Sequence, residues 1–491
     1  MKRWMSLLLA AVLLLLFPVS AHADYDYASI PTPVMYVVDA DNPSHVFYAR
    51  EADKQAYPAS TTKIMTAILA LENGNLDDAF MVGQEIEGTT IKFSSYSSLM
   101  GLQVGEMVTL RDLVYGLMLV SGNDAGEAIA KHVGGNVDGF VNLMNQKAAS
   151  LGMSNTHFTN PHGVQNDNHY TTARDLATLA AYALKNPDFC AIMQTQTYTV
   201  PANNVRQTEL VLNNSNRLLR AVDGDPMTTV YPYAIGIKTG DTDSAGKCIV
   251  AAAEKDGARI ICVLLGDSAD LYGGDKVTAN LMRFVNAGKI FEYLFENDYT
   301  QASASELGLT TAFTTPVSDA DAAARPGGTL GVTADLTGLT FRALPDAITN
   351  LKGNPGQIQA SVIYAGGEMP VAPVGAGDLV GTVEYRYNGR TLFSAPLHAD
   401  AAVAASGAAG TEGTEPAATA TDDPQNDGPQ ETPLISHKRL DAKTIWSWVL
   451  ILLVLLLVAL IVVFIVTERR RKKREAARRR RAAQRRRQQR Y

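Results

Sequence analysis

Apolar positions along this chain recur with two distinct periods, and where each period holds sets the expected elements. From Ser60 to Leu71, Ile64, Ile68 and Leu71 return at helical spacing, and Pro58 and Ala59 mark the start of that helix. Leu110, Leu113, Val114, Leu117 and Met118 form a second apolar stripe, which Thr109 can cap with Asp112 at the third helical position. A third helix is expected from Asp124 to Ala130, with Ser121-Gly122-Asn123 on a loop between it and the second. Strand-like alternation replaces this pattern from Ala234 to Gly240, where Ile235, Ile237 and Thr239 share one face and Gly236, Lys238 and Gly240 the other. Two apolar runs, Lys247 to Ala253 and Ala258 to Leu265, flank Glu254-Lys255-Asp256-Gly257 and read as a hairpin. Val34 to Val38 and Thr208 to Leu212 add strand signals. The mixture predicts an antiparallel sheet packed between helices over residues 24–300. Residues 301–400 carry little helical periodicity, and Val380 to Tyr387, Asn388-Gly389, then Arg390 to Phe393 predict a hairpin on a type I′ turn. This stretch is expected to be a small β-rich domain.

Two apolar runs have no period. The first, Leu7 to Phe17, follows Lys2-Arg3 and precedes Ala21-His22-Ala23, the pattern of a secretory signal over residues 1–23. The second, residues 444–467, holds 24 uncharged positions with Trp446 and Trp448 at one end, enough for a transmembrane helix. Residues 401–443 between the β-rich region and this run are mostly Ala, Gly, Thr, Pro, Asp and Glu, so a disordered linker is expected. A tether from Ala401 to about Ser436 would span roughly 35 Å on average and about 120 Å when stretched.

Charge sharpens the topology. The tail 468–491 carries 14 Arg and Lys against Glu468 and Glu475, a net of +12. Beside a membrane span, the positive-inside rule and anionic lipids explain it, and no nucleic-acid partner is called for. Without the tail, the formal −7 of the whole chain becomes −19, so the exported part is distinctly acidic. The expected arrangement is single-pass, with the catalytic part outside the cell membrane and the tail in the cytoplasm. Cys190, Cys248 and Cys262 give an odd count; Cys248 and Cys262 lie on two arms of one hairpin, leaving either a disulfide or buried thiols open.

The candidate chemistry sits in three strings: Ser60-Thr61-Thr62-Lys63, Ser121-Gly122-Asn123 and Lys238-Thr239-Gly240. Alone, each is weak. In this order on an exported chain they point to a serine acylated by a peptide or a β-lactam. A serine hydroxyl needs a base to take its proton. Ser60 and Lys63, three apart, project from one side of a helix. Burial and a second cation, Lys238, would lower the Lys63 pKa enough for it to act as that base. Ser60 in the first helical turn would also feel the positive end of the helix dipole.

These strings, with Tyr57 to Lys63, Asn160 to Val164 and His169 to Asp175, closely resemble the low-molecular-mass penicillin-binding proteins, the serine-type D-alanyl-D-alanine carboxypeptidases of peptidase family S11. The resemblance spans roughly residues 24–400. It implies the α+β transpeptidase/β-lactamase-like fold, with helices on both sides of the sheet and a small β-rich domain after it. It also implies Ser121 as proton relay to the leaving amine and Asn123 as holder of the substrate amide and of Lys63. Lys238 and Thr239 would bind the terminal carboxylate, Gly240 would permit close approach, and the backbone N–H groups of Ser60 and Asp241 would form the oxyanion hole. The acidic Asp241 departs from the family, which more often has an aromatic residue or His there. The implied partners are peptidoglycan stem peptides ending in D-Ala-D-Ala and β-lactam antibiotics, with no cofactor and no metal.

Rival readings remain. A β-lactamase shares the motifs, and Glu209-Leu210-Val211-Leu212-Asn213 matches its E-x-x-L-N string, but this lies just before Lys238 rather than well upstream. A D,D-endopeptidase would use the same residues. An inactive wall-binding or penicillin-sensing protein would have no reason to keep Ser60, Lys63, Ser121 and Lys238 together. His157, His162 and His169 fit no zinc spacing and are expected to brace a loop. Since no motif residue lies beyond Asp241, a chain ending near Ser436 should be soluble and turn over small peptides as fast as the full chain. A steady-state assay that found turnover abolished by this truncation would give the membrane segment a catalytic role.

Overall fold

The computed structural model describes residues 25–87, 97–319 and 329–406. Its strands are β1 Val34–Asp39, β2 Val46–Arg50, β3 Ala79–Met81, β4 Met107–Thr109, β5 Thr197–Val200, β6 Leu210–Asn213, β7 Ala234–Thr242, β8 Gly246–Lys255 and β9 Ala258–Asp267. Then come β10 Thr300–Ser303, β11 Ala312–Pro316, β12 Thr329–Ala334, β13 Thr340–Ala343, β14 Gln359–Tyr364, β15 Leu379–Tyr387 and β16 Arg390–Ala399. The helices are α1 Lys63–Asn73, α2 Leu110–Leu119, α3 Asn123–Gly134, α4 Val137–Ser150, α5 Ala173–Ala183, α6 Pro187–Gln194, α7 Lys276–Asn297 and α8 Pro345–Gly353.

The central sheet runs β2-β1-β9-β8-β7, antiparallel throughout, and leaves β7 at an edge. Its central strands are apolar at nearly every position because both faces are covered. Val34, Tyr36, Val250, Ala252, Ile261 and Val263 share a core with α1, α2 and α3. Their neighbours Met35, Val37, Ile249, Ala251, Ile260 and Leu264 pack instead against Phe284, Ile290, Phe291 and Leu294 of α7. The period of two thus assigns alternate side chains to opposite helical layers. The cysteines follow the same rule: Cys248 lies in the first core and Cys262 in the second, and Cys262 pairs in register with Ala251. On opposite faces of the sheet they are free buried thiols.

Local signals explain the element starts. Thr109 Oγ1 accepts from the Asp112 N–H while the Asp112 carboxylate accepts from the Thr109 N–H, closing the expected capping box on α2. Residues 302–403 form a separate apolar core under the sheet β11-β12-β16-β15-β14. Asn388 and Gly389, at φ 51° and 77°, make the β15–β16 turn on two left-handed positions, as Asn-Gly predicts. Helix α8 was not expected from the pattern; nine residues with Pro345 first and only Ile348 and Leu351 buried are too short to show a period.

The β-rich region is tied to the central sheet by charge. Asp41 is shared by Arg259 at 2.5 Å and by Arg390 of β16 at 2.8 Å. Arg342 of β13 donates to the Phe295 carbonyl at 2.7 Å and pairs with Asp256 at 3.1 Å. Nearby, Tyr299 donates to Asp39 at 2.6 Å, and burial raises the Asp39 pKa against that bond. Among the described residues no helix is long and apolar enough to cross a membrane. The expected signal segment 1–23, the transmembrane run 444–467, the tail 468–491 and all of the linker beyond Ser406 lie outside the described residues.

Replacing Asp41 by Ala leaves two guanidiniums together without their shared anion. The carboxylate is partly exposed, so the expected loss is about 2 kcal/mol, below that of a fully buried pair. The urea midpoint should fall accordingly; a loss under about 0.5 kcal/mol would show the tie to be ornamental.

Candidate active site

The nucleophile candidate sits on a turn whose shape depends on glycine elsewhere. Pro58, Ala59 and Ser60 lead into a 3₁₀ turn over Ala59–Thr62, and Lys63 opens α1. Ser60 is therefore one turn earlier than the helix expected from its sequence, though its side chain still meets that of Lys63. Ala59 is held at φ 48°, a left-handed conformation that an alanine rarely adopts. Its carbonyl lies so close to Gly163 that a side chain there would come within 1.8 Å of it. On the other side, a side chain on Gly240 would meet the Pro58 carbonyl at 3.0 Å and the Ser60 nitrogen at 3.2 Å. The turn is thus pressed between the Asn160-Pro161-His162-Gly163 loop and the edge strand β7.

Lys63 is fully buried. Its Nζ lies 2.9 Å from Ser60 Oγ, 2.7 Å from Asn123 Oδ1 and 2.8 Å from the His162 carbonyl oxygen. The last two can only accept. A neutral amine has two N–H bonds to donate to them, and its lone pair then points at the Ser60 hydroxyl. Burial drives the Lys63 pKa well below its usual value, the charge of Lys238 adds to this, and Asp124 opposes it. Lys238, also buried, donates to the Thr239 carbonyl at 3.1 Å. Burial and then Arg283 lower its pKa to about 7.

Asn123 is the first residue of α3 rather than part of a loop, and Ser121 holds φ 62° at the junction with α2. Ser60, Ser121, Thr239, Gly240 and Asp241 all line one cavity of about 390 Å³. Lys63, Asn123 and Lys238 stand behind its wall. Asp241 itself is exposed and pairs with Lys247 across the hairpin. Glu209 is exposed, precedes β6 and is not among the cavity residues. The acid of the lactamase string is thus outside the cleft, although its last residue, Asn213, lines the cavity.

Several supporting residues escaped the motif reading. Asp124 accepts from the N–H groups of Met100, Gly101, Leu102 and Ala125 at 2.8–3.0 Å, fixing residues 100–102 to the start of α3. The histidines do brace a loop. His169 Nδ1 accepts from the Thr159 N–H at 3.0 Å, so its proton is on Nε2 and is donated to Thr62 Oγ1 at 2.8 Å. Burial keeps it neutral, with its pKa lowered to about 3. His162 Nδ1 likewise accepts from the Val164 N–H at 3.2 Å, and Nε2 donates to Glu127 at 3.0 Å. Burial lowers the His162 pKa and raises that of Glu127 to about 7. The His162–Glu127 contact is thus a hydrogen bond from a neutral ring. Arg283 of α7 is buried and donates to the Gly240 carbonyl at 2.7 Å and the Cys248 carbonyl at 3.0 Å. No spacing in the sequence could have linked it to the site.

The family described as D-alanyl-D-alanine carboxypeptidase, peptidase S11, matches residues 23–269. D-alanyl-D-alanine carboxypeptidase DacA of Haemophilus influenzae is 30% identical over 78% of this chain and 88% of its own length. DacF of Bacillus subtilis is 32% identical over 57% of this chain and 70% of its own length. The crystal structure of a D-alanyl-D-alanine carboxypeptidase from Mycobacterium tuberculosis is 31% identical, covering 54% of this chain and 91% of that one at a TM-score of 0.46. With half of its length under the family's own pattern, and Ser60, a buried Lys63 and the edge strand bearing Lys238 and Thr239 around one cleft, this chain belongs to the S11 family of serine-type D-alanyl-D-alanine carboxypeptidases.

Proposed function

We propose that Ser60 attacks the carbonyl of the penultimate D-alanine of a peptidoglycan stem peptide and releases the terminal D-alanine. The observation that carries this reading is the fully buried Lys63, whose two committed acceptors leave its lone pair for the hydroxyl 2.9 Å away. Lys63 takes the serine proton, and Ser121 passes it to the departing amine. Cationic Lys238 and the Thr239 hydroxyl hold the terminal carboxylate. The N–H groups of Ser60 and Asp241 bind the developing oxyanion, a role supported by how closely the Gly240 backbone approaches the Ser60 nitrogen. Water then hydrolyses the ester. Asn123 positions both Lys63 and the substrate amide.

On this reading the enzyme works outside the cell membrane, on a tether from a single transmembrane helix over residues 444–467. The support is compositional: an apolar run of 24 residues, a tail of net +12, and an A-x-A signal at Ala21 to Ala23. The small β-rich domain then serves as a spacer between the tether and the cleft.

The family binds β-lactams, and penicillin tests the site directly. Ser60 opens the lactam, and the fragment that stays attached blocks the path of the hydrolytic water. Intact-protein mass spectrometry after brief exposure should show one added penicillin mass on the peptide bearing Ser60, persisting for minutes and absent in Ser60→Ala. Rapid penicillin destruction without an adduct would return the lactamase reading, and no reaction at all would favour an inactive binder.

The same reaction tests the base. Lys63→Arg keeps the charge but cannot lose it near neutral pH, so acylation should slow by at least about 100-fold. In the wild type, acylation should rise with pH through the depressed Lys63 pKa, as the amine loses its proton. It should fall again above about 7, where Lys238 loses its own. Stopped-flow acylation against pH reads both limbs; an Arg variant near the wild-type rate would remove Lys63 from this role.

A further inference from the structure

The cleft extends beyond what a terminal D-alanine needs. Its cavity of about 390 Å³ also reaches Arg217, Arg220 and Arg283, three guanidiniums contributed by the segment before β7 and by α7. This is within the roughly 300–1,000 Å³ typical of small-ligand sites. Their existing partners differ. Arg217 is paired with Asp225. Arg283 spends its bonds on neutral oxygens, those of Gly240, Cys248 and Asn280, and its buried Nε has no hydrogen-bond partner among the described residues. Arg220 forms no ion pair among the described residues. Its only hydrogen bond there is 3.5 Å to the Ala221 carbonyl, at the outer limit for such a contact, and its buried Nε is also unpartnered. The acid that lines the cavity beside Thr239 and Gly240, Asp241, is already held by Lys247.

Unpaired guanidinium in a partly enclosed cavity is costly unless an anion completes it. It also stands out against a net of −19 over the residues before the basic tail, which would otherwise repel acidic ligands. We propose that Arg220, backed by Arg283, binds a second carboxylate on the leaving residue, so that this enzyme favours substrates whose departing D-amino acid is dicarboxylic. The inference rests on the reading above, in which Lys238 and Thr239 take the α-carboxylate of that residue; the arginines line the same cavity as Thr239. The chemistry is unchanged. The C–N bond to the leaving residue breaks as the Ser60 ester forms, the serine proton ends on the departing amine, and water then splits the ester to regenerate Ser60. What differs is the product amine, which carries two carboxylates.

The test compares three peptides, diacetyl-L-Lys-D-Ala followed by D-Ala, D-Glu or D-Gln, on the full-length chain purified in detergent. D-Glu and D-Gln have nearly the same shape and differ in charge, so their kcat/KM ratio isolates the carboxylate. A charged hydrogen bond of this kind is expected to favour D-Glu by about tenfold or more. In Arg220→Gln the ratio should fall to near one, and in Arg220→Lys, which keeps the charge, part of the preference should survive. The D-Ala peptide, run alongside with wild type, reports the underlying reading: if it is not hydrolysed, that reading fails, whatever the ratio. A wild-type ratio near one overturns the second-carboxylate site. So does a ratio that Arg220→Gln leaves intact, or a folded Arg220→Gln protein, by circular dichroism, that loses all three peptides equally, since Arg220 would then serve the α-carboxylate. If Arg220→Gln does not fold, the wild-type ratio and Arg220→Lys decide the matter.

Discussion

Everything in this cleft depends on keeping one amine away from water. Lys63 is fully buried, and an ammonium in that place costs far more than a neutral amine. Removing the proton resolves the cost and leaves a lone pair within 2.9 Å of the Ser60 hydroxyl. The surroundings favour this choice: a second buried lysine on β7, and histidines whose ring protons are committed to Thr62 and Glu127, while the two acceptors can be satisfied by the neutral amine. Asp124 is the one close carboxylate that could restore the charge, and four backbone N–H groups already occupy it.

Close backbone contact is the second requirement, and glycine supplies it from two directions. The turn bearing Ser60 adopts a left-handed Ala59 only because Gly163 and Gly240 let two other segments close on it. One of them belongs to the loop whose His162 carbonyl binds Lys63. The other belongs to the edge strand carrying Lys238 and Thr239. Packing of the turn and electrostatics of the amine are therefore the same construction, because the elements that shape Ser60 also deliver the groups that tune Lys63. An edge strand suits this role, since one side of β7 pairs with β8 and the other is left to face the turn.

Much of this was legible along the chain where the determinants are local. Thr109 and Asp112 announce their capping box within four residues and Asn388-Gly389 its turn within two, whereas the hairpin spacing left a disulfide between Cys248 of β8 and Cys262 of β9 open, and the sheet places them on opposite faces. The three motifs name the residues of the site because each holds its spacing inside a single element or junction. What was not legible acts across distance: Thr62 and His169 are separated by 107 positions, and Arg283 reaches Gly240 from 43 away. Such pairs leave no period and no spacing, only a fold. The 3₁₀ start before α1 belongs here too, since the Gly163 and Gly240 contacts impose it rather than any helix propensity of Ser60 to Lys63.

The charge pattern separates two jobs that the same ions might otherwise confuse. A net of −19 over the residues before the tail favours solubility and holds off polyanions in bulk. A cleft that must bind a carboxylate needs the opposite sign, and over a Debye length of about 8 Å at physiological salt the two fields need not cancel. Here the cations are concentrated behind and beyond Thr239: Lys238 and Arg283 are buried, and Arg217 and Arg220 stand partly exposed on the facing segment. Burial makes each of them stronger toward a bound anion than toward solvent ions. It also sets a limit, because neighbouring buried cations lower one another's pKa, as Arg283 does for Lys238. Adding positive charge to such a cleft would lower the pKa of Lys238 further, and a neutral Lys238 would attract a bound anion less.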